Sequence, residues 1–227
     1  MKKQIVVIGL GRFGTSVATA LSRAGHDVLA LDNDSEKVQR VSSEVTHAAQ
    51  ADATNEDILK ELGISNFNVA IVALGSAVQN SVLSTILLKR LGVRYVISRA
   101  NNDLHKEILE RIGADKVVSP ELEMGVRTAH EVIIGAVSDY MPVTSGYGIA
   151  KIEVHIDMAG RTLADLELGS EGKSRIAVLL IQREKEIIVT PHESEIVKYG
   201  DILIVSASDD RFESFLAKVK PDKKNNR

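Results

Sequence analysis

Gln4-Ile5-Val6-Val7-Ile8-Gly9-Leu10-Gly11-Arg12-Phe13-Gly14 is the stretch that decides the fold. A short β-branched run enters a glycine loop of the form G-x-G-x-x-G, and an amphipathic segment follows at once. A glycine string alone is weak, but strand, loop and helix in that order specify a phosphate-binding turn. The first glycine permits the tight turn, the second lets backbone approach a phosphate, and the third lets helix and strand pack closely. The helix that opens there offers unpaired N–H groups and the positive end of its dipole to an anion. Asp32 closes the next apolar run, about 20 residues on, where the dinucleotide-binding fingerprint places its acidic residue. A carboxylate there accepts hydrogen bonds from ribose hydroxyls and disfavours a 2′-phosphate, which favours an adenosine ligand without one.

Outward from this point the chain alternates. Apolar runs at 5–10, 28–32, 47–51, 69–74, 95–98 and 116–119 read as buried parallel strands. Helical patterns at 14–24, 33–45, 55–62, 78–91 and 103–112 lie between them, most of them stopping at a glycine (Gly25, Gly63, Gly92, Gly113). This rhythm predicts an α/β fold, a Rossmann-type doubly wound parallel sheet over residues 1–120. Ligands of such sheets gather beyond the strand C-termini, which adds Asp52 and Ala53 after the third strand, and Ala73 and Gly75 after the fourth, to Gly9, Gly11, Arg12, Phe13, Gly14 and Asp32. Arg12 is unusual between the glycines. Its guanidinium can clamp a terminal phosphate in its own subunit or across an interface.

After Pro120 the rhythm changes. Residues 121–137 read as one longer helix, and 138–148, with Pro, Gly, Ser and Tyr, as a linker. Strand-like runs at 150–156, 176–182, 186–189 and 201–205 and a closing helix at 212–219 predict a small α+β lobe over 149–219. Lys220 to Arg227 form a short basic tail that reads as solvated.

The 227 residues carry 44% hydrophobic and 26% charged side chains, a net charge of −3, no cysteine and no tryptophan. The charge and the lack of a basic face argue against nucleic acid. The missing cysteines exclude disulfides and thiolate metal sites. No run approaches the roughly 20 apolar residues of a membrane span, and the glycine loop follows the first apolar run too soon for a signal peptide. The expected location is therefore cytoplasmic, with membrane association only through a partner. Function belongs to sites rather than folds, so a small NAD-dependent oxidoreductase is the competing class. The six histidines are scattered, and no H-E-x-x-H, G-x-S-x-G or Walker-type lysine loop is present, so no enzyme is expected.

The chain resembles the regulator-of-potassium-conductance family, specifically its Ktr/Trk-type cytosolic subunits. The residues that carry the resemblance are Val7 through Gly14, Leu31-Asp32, Ala51-Asp52-Ala53-Thr54, Arg111-Ile112-Gly113-Ala114-Asp115, Ser119-Pro120-Glu121, Met124-Gly125, Gly160-Arg161-Thr162-Leu163, the run from Ile187 to Pro191, and the run from Tyr199 to Val205. The resemblance implies a homodimer, often within an octameric ring, beneath a membrane-embedded potassium-translocating subunit. It implies ATP or ADP in the cleft, or NAD or NADH in some members. It also implies Arg12 on a neighbouring subunit's terminal phosphate and Arg99 near the phosphates. By resemblance Glu121 can hold a divalent cation at the dimer interface; by its residues alone it is a helix N-terminal carboxylate. The same resemblance marks Arg161, Arg175, Ile176 and Pro191 as a cyclic di-AMP site, or else the second lobe only dimerises. Arg175 stands where the family pattern suggests a small amide.

Overall fold

The computed structural model describes residues 2–75, 77–134, 137–169 and 174–219. The tail from Lys220 lies outside the described residues. The chain divides into two compact units, Met1–Leu122 and Glu123–Arg227.

In the first unit β1 (Gln4–Ile8), β2 (Asp27–Asp32), β3 (His47–Gln50), β4 (Val69–Val72), β5 (Tyr95–Arg99) and β6 (Lys116–Val118) alternate with α1 (Arg12–Arg23), α2 (Ser35–Val41), α3 (Glu56–Glu61), α4 (Val78–Arg90) and α5 (Asp103–Arg111). The sheet order is β3-β2-β1-β4-β5-β6, and every pairing is parallel. The doubly wound sheet expected from the alternation is therefore present. Its central strands β1, β2 and β4 are apolar on both faces because both faces are covered. Val6 and Ile8 join Leu29, Leu31, Val72, Leu88 and Val96 in one core. Ile5 and Val7 pack with Val28, Ile71 and Ala18 in another. The winding reverses between β1 and β4, which opens a crevice at the C-terminal ends of those strands, directly above the glycine loop. Asp34, Asn55 and Asn102 cap α2, α3 and α5 with side-chain oxygens, whereas α1 and α4 start without a capping side chain.

The second unit is an antiparallel sheet of order β10-β9-β11-β8-β7. Its strands are β7 (Val137–Thr144), β8 (Tyr147–Glu153), β9 (Ala177–Arg183), β10 (Glu186–Val189) and β11 (Ile202–Ser208), followed by α7 (Asp209–Val219). Two expectations are corrected here. The helix α6 runs Pro120–Ile134, shorter than expected, and Val137 already begins a strand. The supposed linker over 138–148 is a hairpin whose first arm pairs with β8. Pro142 misled the reading: β7 is an edge strand, where a missing N–H costs no ladder bond, and the register shifts on either side of it.

This lobe has its own core, with Ile152, Met158, Leu163, Leu168, Ile181, Leu203, Val205 and Phe212. Tyr140 is buried against Phe212, edge to face at 6.2 Å, and its hydroxyl donates to Asp209 Oδ1 at 2.5 Å. Burial and the Asp209 carboxylate together raise the Tyr140 pKa. Arg183 donates to Asp201, Glu195 and the carbonyl of Ile196. Burial opposes the charge on Asp201, but Arg183 and the Lys198 N–H outweigh it and hold that carboxyl below the usual carboxylate range. Among the described residues no helix is long and apolar enough to cross a membrane.

Candidate functional site

The loop between β1 and α1 is held from three sides. Gly9 N donates to Leu31 O at 2.8 Å, Ala73 N donates to Ile8 O at 2.7 Å, and Leu10 N donates to Asp32 Oδ2 at 2.7 Å. Gly9 has φ +93°, the left-handed region, and a Cβ there would lie 2.8 Å from Leu74 Cδ2. Gly14 is tighter: a Cβ would sit 1.8 Å from Gly9 O. Gly11 is the opposite case, since a Cβ there would meet nothing within 4 Å. It is the N-cap of α1 with no side-chain cap, and no acidic residue stands in the first turn. An open space lined by uncapped N–H groups fits a phosphate, and a methyl group at position 11 would occupy that cradle. Arg12, the first residue of α1, is exposed beside it.

Asp32 is buried at 6%. Its Oδ1 accepts from Asp34 N at 2.9 Å, and Lys37 Nζ stands 3.5 Å away. The carboxylate therefore bolts the loop to β2, a role that its position alone did not reveal, and Lys37 offsets part of its charge. Sequence reasoning missed Lys37. The available signal was the start of α2 at Ser35, which brings position 37 into the first turn beside the end of β2.

The other rim residues lie where the topology puts them. Asp52 Oδ1 accepts from Thr54 N and Thr54 Oγ1 at 2.9 and 2.7 Å, and these bonds lower its pKa. Ala53 O accepts from the buried Ser84 of α4 at 3.1 Å, another contact invisible in the local sequence. Ala73 approaches both Gly9 and Gly14. The Arg99 guanidinium packs on Gly75, where a Cβ would lie 2.7 Å from Cζ. It also lies 5.9 Å from the centre of the Phe13 ring. Its Nη2 donates to Glu121 Oε1. Its Nε is buried with no hydrogen-bond partner among the described residues. Gly9, Gly11, Phe13, Gly14, Asp32, Ala73, Gly75 and Arg99 thus form one connected set.

Two expected sites are not assembled in this way. Glu121 faces a guanidinium rather than other oxygen ligands, and among the described residues no cluster of three or more His, Cys, Asp or Glu could hold a metal. The residues of a single chain do not fit a divalent cation there. In the second unit, a cavity of about 500 Å³ is lined by Gly169, Ala177, Val178, Thr190, Pro191, His192 and Glu193. It includes Pro191 but not Arg161, Arg175 or Ile176. The Ile176 side chain is fully buried in the lobe's core, and Arg161 donates to the carbonyl of Asp165.

The expectation that Tyr140, Tyr147 and Tyr199 have no lysine at the i,i+4 spacing of a reductase pair is corrected for Tyr147, since Lys151 stands at that spacing. Both lie on β8, where four residues span roughly 13 Å. Tyr147 instead accepts from Ser206 Oγ at 3.3 Å, and Lys151 pairs with Asp139 at 2.6 Å. His105 is buried at 1% beneath Asn101. Burial lowers its pKa.

Residues 5–120 match the TrkA-N domain and residues 150–220 the TrkA-C domain. The chain is 42% identical over 208 residues to Ktr system potassium uptake protein C of Bacillus subtilis (strain 168), covering 92% of this chain and 93% of that one. It is 38% identical over 203 residues to Ktr system potassium uptake protein A of the same organism, covering 89% and 90%. Among solved structures, the GsuK channel bound to NAD superposes with a TM-score of 0.62 at 13% identity. That alignment covers 99% of this chain and 41% of the channel chain, and it shows the fold.

Proposed function

The chain belongs to the TrkA-N and TrkA-C domain family of potassium uptake proteins, not to the dehydrogenases that share its sheet, and from that premise we propose that it is a cytosolic regulatory subunit that senses an adenine nucleotide. In this reading ATP or ADP binds over the glycine loop, and the bound species sets the state of a membrane-embedded potassium-translocating partner. The observation that carries the reading is the cradle at Gly11: an uncapped helix start with open space above it, bolted to β2 by the buried Asp32.

A sensor needs only differential affinity between two conformations. A terminal phosphate bound by an arginine in one state and absent in the other is enough, since about 1–3 kcal/mol shifts a population several-fold to a hundredfold. Arg12, exposed at the start of α1, is the residue proposed to read that phosphate, in its own subunit or a neighbour's. Homodimers within an octameric ring, held at the inner face of the membrane through the partner, are the assembly proposed to transmit the change. Binding of cyclic di-AMP beside Pro191 is a further proposal for the second lobe.

NAD or NADH is the second ligand reading, favoured by the NAD in the GsuK channel, which has the same fold. Titration calorimetry with ATP, ADP and NADH separates the two. Arg12→Ala is expected to weaken ATP by roughly tenfold or more, as loss of a charge-assisted contact does, and ADP by far less. Equal losses for the two nucleotides would remove Arg12 from the reading. Preferential binding of NADH would replace the adenine nucleotides as the sensed species.

A further inference from the structure

Helix α4 carries polar side chains on the buried face of its first half. Ser81, Ser84 and Thr85 are fully buried, while Leu87 and Leu88, one turn on, join Val72 and Val96 in the core. Burying a hydroxyl is costly unless it is hydrogen-bonded. Helical serines and threonines commonly turn back onto the carbonyl four residues earlier, and Thr85 does so, donating to Ser81 O at 2.8 Å. Ser84 does not. Its Oγ donates across the fold to Ala53 O at 3.1 Å.

The peptide unit that Ser84 holds has a second end. Ala53 O and Thr54 N–H share one plane, and Thr54 N donates to Asp52 Oδ1 at 2.9 Å. A rigid peptide thus links the buried side of α4 to the Asp52 carboxylate. Ala51 N on Asp32 O, at 3.0 Å, and Asn55 N on Asp52 O, at 3.1 Å, fix the two ends of the turn. Ala51 and Ala53 are buried and Asp52 is exposed, so the carboxylate is the part of this turn that a ligand can meet.

We infer that Ser84 is a positioning residue for the base of the bound nucleotide: it sets the place of the Asp52 carboxylate, which accepts a hydrogen bond from the exocyclic amine of adenine. The inference rests on the nucleotide reading above and deepens it. The sheet order β3-β2-β1 lines up Asp52 after β3, Asp32 at the end of β2 and the glycine loop after β1. Two strand spacings are roughly 10 Å, a span that base, ribose and phosphate cover in that order. An ionised carboxylate only accepts hydrogen bonds, so it favours a base that presents an amine. Loosening the turn leaves the phosphate cradle untouched, and the effect falls on the base.

The test compares ATP with purine riboside 5′-triphosphate, which lacks only the amine of the base. Both are titrated calorimetrically into the full chain, the weaker ligand being measured through its displacement by ATP. Wild type is expected to prefer ATP by roughly tenfold or more, as for a hydrogen bond to a charged group. Ser84→Ala should cut that preference by roughly fivefold. The affinity for the analogue should stay within about twofold of wild type. Ser84→Cys replaces the alanine variant if that fails to fold, since a thiol is only a weak donor. Thr85→Val removes the neighbouring buried hydroxyl; it should lower the urea midpoint and leave the preference unchanged. In an Asp52→Ala background, Ser84→Ala should alter ATP affinity by no more than about twofold. Equal losses for the two ligands, the same narrowing in Thr85→Val, or a full loss in the Asp52→Ala background each overturns the inference. So does a wild type without preference, or a Ser84 variant that keeps it. A wild-type chain that binds neither ligand overturns the nucleotide reading as well, and that outcome is distinct from the others.

Discussion

Gly14→Ala is expected to abolish nucleotide binding and to destabilise the first unit by about 3 kcal/mol, near the top of the range for overpacking a tight site. The added Cβ would lie 1.8 Å from Gly9 O, 3.0 Å from Gly9 C and 3.1 Å from Ala73 Cβ. The two nearest of these atoms are backbone, so no rotamer change relieves the contact. The loop or α1 must shift by about 1 Å, and a displacement of that size in a preorganised site costs roughly 100-fold. Gly11→Ala is the internal control. Its Cβ meets nothing within 4 Å, so the urea midpoint should stay at the wild-type value. If Gly14→Ala folds with wild-type stability and affinity, the close packing of loop and helix is not what holds the cradle.

Asp32→Ala is expected to have an effect of similar size by a different route. It leaves Leu10 N and Asp34 N without their acceptor inside a buried site. It also leaves Lys37 Nζ, 3.5 Å from Asp32 and 3.8 Å from Asp34, with only the more distant carboxylate. Stranding buried donors costs about 1–3 kcal/mol each, so a total loss of about 3 kcal/mol should appear in urea unfolding. Nucleotide affinity should fall with it, because the Leu10 N–H bond holds the loop closed. Asp32→Asn keeps one oxygen acceptor and should recover part of the stability. Were Asp32→Ala to unfold at the wild-type midpoint, the carboxylate would be a ligand contact only and not the bolt of the loop.

The difference between what was legible in the sequence and what was not follows from how far each interaction reaches. The glycine loop and the acid after β2 are local: their spacing reflects one turn and one crossover, so Gly9, Gly11, Gly14 and Asp32 could be read directly. The β-branched runs were legible because strands covered on both faces need no polar alternation. The Arg99–Glu121 pair, Lys37 beside Asp32 and Ser84 on Ala53 were not, because each joins elements whose proximity only the folded sheet creates. The hairpin over 137–153 was misread for a related reason. Pro, Gly and Ser mark a turn wherever they fall, and nothing local says that Pro142 lies on an unpaired edge. The burial of His105 was not legible either, because one polar side chain in an amphipathic helix carries no sign of the shell around it.

The claim on which the rest depends is that the open space above Gly11 holds phosphate. Calorimetric titration of ATP and ADP into the wild-type chain and into Gly11→Ala, both checked for equal urea midpoints, tests it most directly. The expected result is saturable binding of one nucleotide per chain by the wild type and none by the variant. Equal binding curves for the two proteins would contradict it.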